Sequence, residues 1–569
     1  MRLSPWGCAV VLLCALPLGA QESAATTQVL HVDSRLVVVD VTVTDSHGAP
    51  VHSLPKSAFK LTESGHAQVL SGVEEHTAPR SPDAAKALPL QPGVFSNVVS
   101  ATPESAPPTI LLIDFLNTPL SSQGWVKEKL LEYLRTAPSN GRTAICVLNT
   151  RLVMLQNLTS DPTLLRAALE KAQPRASSTG NGDVDRAFDK TQIPEEARDA
   201  FRENPAWTEI NEHQRADVSL QGFHQLALYL AGIPGRKNLI WFSSAFPLNL
   251  LPRWNRSRGD TQWEKEYRET VDLLTRSRVA IYPVDSRGIE IAPLVTSSRS
   301  RTAVDFSDVN VETQSAMMEI ADDTGGKAFL NTNGIAQAVA NVVAAGSEYY
   351  TLTYVPTDAE AHGEYRPIHV EVTPSNGYKL SYRRGYDAVV ADHAVKAEAK
   401  EVADSTVKAA AAFLAPPSTQ IGFFARVLPV GGGEVGASLR QATDSGRRGP
   451  RNGPIEDAEG GEGRRYRIEY STDLSNLTIT SGEDGKHMAH VEFLALAYDA
   501  QGRVLRSYSR PLHMTWTAEQ FSTAVQHGAR YAQEINLPGD GAITLRLFVH
   551  DLTSDHLGSL DVPASALKR

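Results

Sequence analysis

Three short, unbroken apolar runs constrain this chain more than anything else in it: Thr109–Ile113 (TILLI), Asn238–Phe242 (NLIWF) and Val279–Val284 (VAIYPV). Apolar strands without polar alternation need cover on both faces, which a parallel sheet between two helical layers supplies. The intervals fit such a sheet. Val126, Leu130, Leu131 and Leu134 share one helical face, Thr143–Leu148 reads as a further strand with Leu152–Leu158 beside it, and Ser160-Asp161-Pro162 opens a helix over Thr163–Ala172. Ser219 is positioned to cap a helix Leu220–Ala231, and further helices are expected near 262–277, 313–323 and 334–345. Strands alternating with helices at this spacing imply right-handed crossovers, so residues 109–346 are expected to form a doubly wound, Rossmann-like α/β domain. A Gly-, Ser- and charge-rich insertion at 173–215 interrupts it.

The flanks read differently. Val37, Val39, Val41 and Val43 alternate with Val38, Asp40, Thr42 and Thr44, which marks 29–76 as an N-terminal β-segment. Residues 77–108 are rich in Pro, Ala and Ser and read as a linker. Period-2 strands recur near 348–355, 366–373 and 378–383, so 347–387 is expected to pack with the N-terminal segment as one sandwich, with the α/β domain inserted into it. An Ala-, Lys- and Glu-rich linker at 388–418, partly helical, ends at Pro416-Pro417. Strand signals at 420–430, 464–471, 489–498, 503–509 and 542–550, without a long amphipathic helix among them, make 419–569 a C-terminal β-sandwich. Both sandwiches are expected to be Ig-like. The Gly- and Arg-containing stretch 431–463 reads as a loop. A length of 569 residues accommodates about three to five domains.

Charge and leader bound the setting. Lys and Arg number 55 against 65 Asp and Glu, a formal charge of −10, which lacks the basic footprint of a nucleic-acid binder. Arg2, the apolar core Ala9–Leu16 and the small-residue site Leu18-Gly19-Ala20 form a signal peptide over 1–20, so the chain is expected in the periplasm, on the surface or outside the cell. No later run has the apolar length of a transmembrane helix. Of three cysteines, Cys8 and Cys14 leave with the leader, and Cys146 reads as a lone buried thiol with no disulfide partner.

In an open parallel sheet, ligands bind beyond the carboxyl ends of the strands. The residues there are Asp114-Phe115-Leu116-Asn117-Thr118, Ser243-Ser244-Ala245 with Phe246 beyond, and Asp285-Ser286-Arg287. The blocks LLIDFLNTP, GIPGRKNLIWFSSAFP, RVAIYPVDSRG and IADDTGGKAF, between VVDVTVTDSHGAPV and YTLTYVP, resemble the von Willebrand factor type A domains over about 109–346. More narrowly, they resemble the secreted von Willebrand factor A-related proteins abundant in acidobacteria.

The resemblance implies protein binding at a metal-ion-dependent adhesion site. There Asp-x-Ser-x-Ser, with a Thr and an Asp from two further loops, gives a divalent cation such as Mg²⁺ its hard oxygen ligands. Asp114 matches the first Asp and Thr118 replaces the second Ser, but Leu116 stands at the first Ser and Ser243-Ser244 where the later Asp belongs. The second-loop Thr has no counterpart, because the insertion falls just before it. The implied metal residues are therefore Asp114, Asn117, Thr118 and Ser244, a degenerate set, and no cofactor is expected. Asp285 lies two strands from Asp114, about 10 Å away at the usual strand spacing. In the plainer reading Asp114 and Thr118 hydrogen-bond the loop backbone.

His-Glu-x-x-His, Gly-x-Ser-x-Gly, a phosphate-binding loop and Cys-x-x-Cys are all missing from the sequence. The leading expectation is an exported, non-catalytic protein-binding protein of adhesion or scaffold type, not an enzyme. Its contact residues would be Asp114, Phe115, Thr118, Ser243, Ser244, Phe246, Asp285 and Arg287, and substituting Asp114 and Arg287 would weaken binding without disturbing the fold. The alternatives are an exported hydrolase or glycan-binding enzyme using Asp114, Glu63 or Asp285 as acid or base, and a structural envelope protein.

Overall fold

The computed structural model describes residues 36–77, 90–99, 106–136, 141–173, 205–244, 261–288, 302–358, 364–388, 406–430, 463–482, 485–538 and 543–567. The leader, most of the insertion, Phe246 and nearly all of the 431–463 loop lie outside these residues. Four strands come first: β1 (Val37–Thr44), β2 (Phe59–Glu63), β3 (His66–Gln68) and β4 (Leu70–His76). Alternation makes β1, whose odd-numbered valines are all buried. A fifth strand, β5 (Val94–Ser96), corrects the linker expected over 77–108: it belongs to a sheet built by the far end of the chain.

The parallel sheet comprises β6 (Thr109–Asp114), β7 (Thr143–Leu148), β8 (Leu152–Thr159), β9 (Lys237–Ser243) and β10 (Val279–Asp285), in the order β10-β9-β6-β7-β8. β8 runs antiparallel at one edge, and Phe329 bridges β10 in parallel at the other. Both faces of β6 are buried: Ile110 and Leu112 join one core, Leu111 and Ile113 the opposite one. The first core takes helices α3 (Pro205–Ala231), α4 (Thr261–Arg276) and α5 (Thr302–Thr324). The second takes α1 (Leu120–Thr136), α2 (Pro162–Lys171) and α6 (Ile335–Gly346). Asp161 caps α2 through the Thr163 N–H, with Pro162 in the first turn. α3 starts at Pro205, fifteen residues ahead of the expected Leu220, so Ser219 is mid-helix and does not cap it. Cys146 is wholly buried and its thiol is pushed up to about 12 by desolvation, which leaves it inert.

The chain then returns to its beginning. β11 (Tyr349–Tyr354) pairs with β1 and β4, and β12 (Tyr365–Val372) pairs with β2, while β13 (Lys379–Ser381) and β14 (Gly385–Asp387) complete two four-stranded antiparallel sheets. The two sheets share one apolar core. Inside it Glu63 is buried and accepts from the hydroxyls of Tyr354 (2.5 Å) and Tyr386 (3.0 Å) and from Arg366 (3.3 Å). The joint to the α/β domain is polar: Arg278, in a left-handed turn before β10, donates from Nε (3.0 Å) and Nη2 (2.5 Å) to the Asp40 carboxylate of β1. Burial works against that carboxylate, yet the Arg278 bonds hold Asp40 below its ordinary range.

Residues 36–569 form one compact unit. Its carboxyl-terminal part has one sheet in the order β20 (Ala529–Pro538), β16 (Gly463–Thr472), β15 (Phe423–Pro429), β5, and a second of β17 (Thr480–Ser481), β18 (His487–Tyr498), β19 (Val504–Trp516), β21 (Thr544–Asp551) and β22 (Leu557–Val562). Both contribute to one core. A helix α7 (Ala518–His527) lies among these strands where none was expected, opened by a reciprocal capping box between Thr517 and Gln520.

His550 of β21 is nearly buried, with Nε2 2.7 Å from Asp555 and Nδ1 3.5 Å from Glu492. Desolvation lowers its pKa, but the two carboxylates outweigh that and push it up to about 9. The ion pair's stabilisation is complete below the ordinary imidazole value of 6.5 and is lost as pH rises through about 9. The urea midpoint of wild type is therefore expected to fall over that interval by the equivalent of about 2–3 kcal/mol, and His550→Gln to remove the slope.

Candidate functional site

From β6 the chain crosses through α1 to β7 along one edge of that strand, whereas β9 pairs along its other edge, so the strand order reverses there. Asp114 and Ser243 are the last residues of these two strands, and Asp285 ends β10. The fold thus carries the three sequence segments to one crest, at the switch point where crevices form in doubly wound sheets.

Asp114 is fully buried and surrounded by donors. Oδ1 accepts from the Asn117 backbone N–H (2.9 Å), and Oδ2 accepts from Asn117 Nδ2 (2.9 Å), Trp241 Nε1 (3.1 Å) and Ser243 Oγ (2.9 Å). Burial raises the Asp114 pKa, against the pull of these bonds. Asn117 also donates to Ser219 Oγ of α3 (3.1 Å). Gln123 Nε2 donates to the carbonyls of Phe115 (3.1 Å) and Thr118 (2.8 Å), pinning the turn into α1.

A second network is made of hydroxyls. Thr118 Oγ1 accepts from the Ser244 N–H (3.2 Å) and lies 3.4 Å from Ser286 Oγ, which is 2.7 Å from Ser244 Oγ. Asp285 is separate from both, clamped by Arg287 through Nε (2.9 Å), Nη2 (2.8 Å) and the backbone N–H (3.0 Å), with Gln314 at 3.4 Å.

The residues present do not fit a divalent cation. Oδ2 of Asp114 carries three donors on its two lone-pair sites, while Oδ1 carries one. One of the three is an indole N–H, which can only donate and repels a cation. Leu116 offers no oxygen and is packed into the core beneath. Among the described residues no group of three or more His, Cys, Asp or Glu side chains is arranged for a metal.

Of the expected contact residues, Asp114, Phe115, Thr118, Ser243, Ser244 and Asp285 are all buried, Arg287 is half-buried, and Phe246 lies outside the described residues. The expectation that Asp114 can be substituted without disturbing the fold is therefore corrected, because its removal leaves buried donors unpaired. What faces outward beside the crest is Leu120 at the start of α1, 55% exposed. The three carboxylates considered as acids or bases are not brought together: Asp114 and Asp285 sit in separate networks, and Glu63 is in the flanking sheets. Each is held by groups that orient it: Asp114 by Asn117, Trp241 and Ser243, Asp285 by Arg287, and Glu63 by two tyrosine hydroxyls and Arg366.

Sequence reading missed Trp241 and Gln123, placed Ser286 at the crest without a role, and took Ser219 for a helix cap. Trp241 was legible in principle, since it stands two residues before Ser243 and so on the same strand face.

No protein family matches the sequence, and no curated protein does. Among solved structures, similarity extends to an aerotolerance-related membrane protein from Bacteroides fragilis (12% identity, 42% of this chain and 98% of that one, TM-score 0.23). It extends also to a von Willebrand factor type A protein from Catenulispora acidiphila (8%, 50% and 67%, TM-score 0.23) and to the PilB minor pilin from Streptococcus sanguinis (8%, 43% and 62%, TM-score 0.25). At these values function has to be argued from the residues themselves.

Proposed function

We propose that the chain is an exported, non-catalytic binding protein, whose α/β domain is of von Willebrand factor A type and docks a protein partner at the crest without a metal ion. The observation that carries this reading is the crowding of Asp114 Oδ2 by three donors, Asn117 Nδ2, Trp241 Nε1 and Ser243 Oγ. Donors from the protein itself take the place a cation would occupy, so the crest is a finished hydrogen-bonded platform. Contact then falls to its rim, where Leu120 offers exposed apolar surface. Export is supported by the leader-like residues 1–20. No helix among the described residues is long and apolar enough to cross a membrane.

The test is cross-linking and pull-down from the native envelope with wild type, Leu120→Glu and Leu120→Ala, each with and without chelator. Capture is expected to be indifferent to chelator and to drop about thirtyfold in either variant, the size of an interface hot spot. Loss of capture on chelation, or undiminished capture by both variants, refutes the reading. Likewise, added Mg²⁺ is expected to leave the melting temperature of wild type unchanged, as a site without affinity contributes nothing by mass action.

A further inference from the structure

A cavity of about 570 Å³ lies away from the crest, between α4 and α5 of the α/β domain and strands β12 and β14 of the flanking sheets. Its size and its place between packed layers are those of a small-ligand site. We propose that this cavity binds an organic cation, an ammonium or guanidinium group on an alkyl stem.

Two features of the wall select that chemistry. The first is aromatic. Tyr267, Tyr365 and Tyr386 line the cavity, and the hydroxyls of two of them are committed to the protein, Tyr267 to Asp323 (3.2 Å) and Tyr386 to Glu63 (3.0 Å). These residues therefore offer ring surface, which attracts a cation through the negative face of the ring. The second is charge. Asp272 comes from α4, Glu319 and Asp323 from successive turns of α5, and Asp387 from β14, against two arginines, Arg268 and Arg384. Arg384 is bonded to Asp322, and Asp272 is paired with Arg276.

Negative charge is in excess even so, and the carboxyl groups register it. Asp323 is pushed up to about 6, by burial first and then by Glu319, and Asp387 is raised by burial and then by Asp272. A cation in the cavity offsets the repulsion between these carboxylates, while an anion aggravates it. A neutral polar ligand gains nothing from the charge.

The test is calorimetric titration of the full chain with n-pentylammonium and n-butylguanidinium, against 1-pentanol as the neutral isostere. Blocked tripeptides Gly-Lys-Gly and Gly-Arg-Gly, against Gly-Gln-Gly, form a second arm. Saturable binding of the cations with no binding of the neutral probes is expected. Tighter binding of the tripeptides than of the bare cations assigns the group to a polypeptide side chain, and equal binding assigns it to a free amine or guanidine. The double variant Glu319→Gln/Asp387→Asn is expected to weaken binding about tenfold or more, and Tyr365→Ala, 45% exposed at the rim, several-fold. The melting temperature of the double variant is measured beside its affinity, and Tyr365→Ala, which removes no charge, gives the second reading where the melt falls. Equal binding of the neutral probes, absence of saturable binding by every cation, or wild-type affinity in both variants overturns the proposal. None of these outcomes depends on the crest, whose partner is read by pull-down.

Discussion

Trp241→Ala is expected to cost about 3–5 kcal/mol of folding stability, the range for emptying a buried aromatic position. The indole is wholly buried, packs edge-on against Phe223 at 5.1 Å, and belongs to the core beneath the crest. Its removal also takes one of the four donors from Asp114. Trp241→Phe separates the two contributions: it keeps most of the volume and loses the N–H, for about 1–2 kcal/mol. Burial already raises the Asp114 pKa, and a missing donor raises it further. A group whose folded pKa is raised takes stability away as pH rises above its ordinary value of 3.8, so the deficit of Trp241→Phe grows with pH. Urea denaturation across the pH range measures it. A deficit under about 1 kcal/mol for Trp241→Ala, or one for Trp241→Phe that shrinks with pH, would show that the indole is not what holds the carboxylate.

The second large effect is expected at Arg546, whose side chain is 1% exposed. Its guanidinium forks onto Asp561, through Nε to Oδ1 (2.6 Å) and Nη2 to Oδ2 (2.7 Å), and donates to the carbonyls of Ala410 (2.7 Å), Ala412 (2.9 Å) and Ala415 (2.5 Å). One side chain thereby fastens the segment 406–415 to β21 and β22. That segment reaches the α/β domain in turn, since Leu414 accepts from the Met154 N–H of β8 at 2.8 Å. Arg546→Met is expected to cost about 3–5 kcal/mol, because it leaves three carbonyls without their donor, while Asp561, 37% exposed, is left to water. Arg546→Lys recovers less than half of that, since an ammonium cannot reproduce the planar fork. Denaturant titration gives the energies, and limited proteolysis should show new cleavage within 406–415. A Met variant as stable as wild type and equally resistant would remove Arg546 from this role.

What could be read from the sequence was what local pattern carries. The unbroken runs at TILLI, NLIWF and VAIYPV are buried parallel strands because no polar residue interrupts either face, and that is a local property. The crest positions followed from strand ends. Elements whose reason for existing is distant were missed. β5 is three residues in a Pro-rich stretch and is a strand because β15 pairs with it. α7 buries Ala524 and little else, so its apolar stripe was too thin to find, although Thr517-x-x-Gln520 was a usable signal. Ser219 looked like a cap because hydroxyls favour helix starts, but the helix runs through it and its oxygen serves Asn117, 102 residues earlier. The donor set of Asp114 likewise spans 127 residues to Trp241, a distance no local periodicity reports.

The placement of β5 also bears on how the molecule is made. Ser96 and Phe423, joined by a hydrogen bond, are separated by 327 positions, so the ribosome releases the edge of this sheet long before the strand that accepts it. A fragment beginning after residue 405 would emerge with β15 bare along one side, an invitation to recruit the same segment from a second molecule. Exchange of that short strand between copies is the misassembly such a bare edge invites, and a peptide spanning 90–99 should suppress it by occupying the vacant edge.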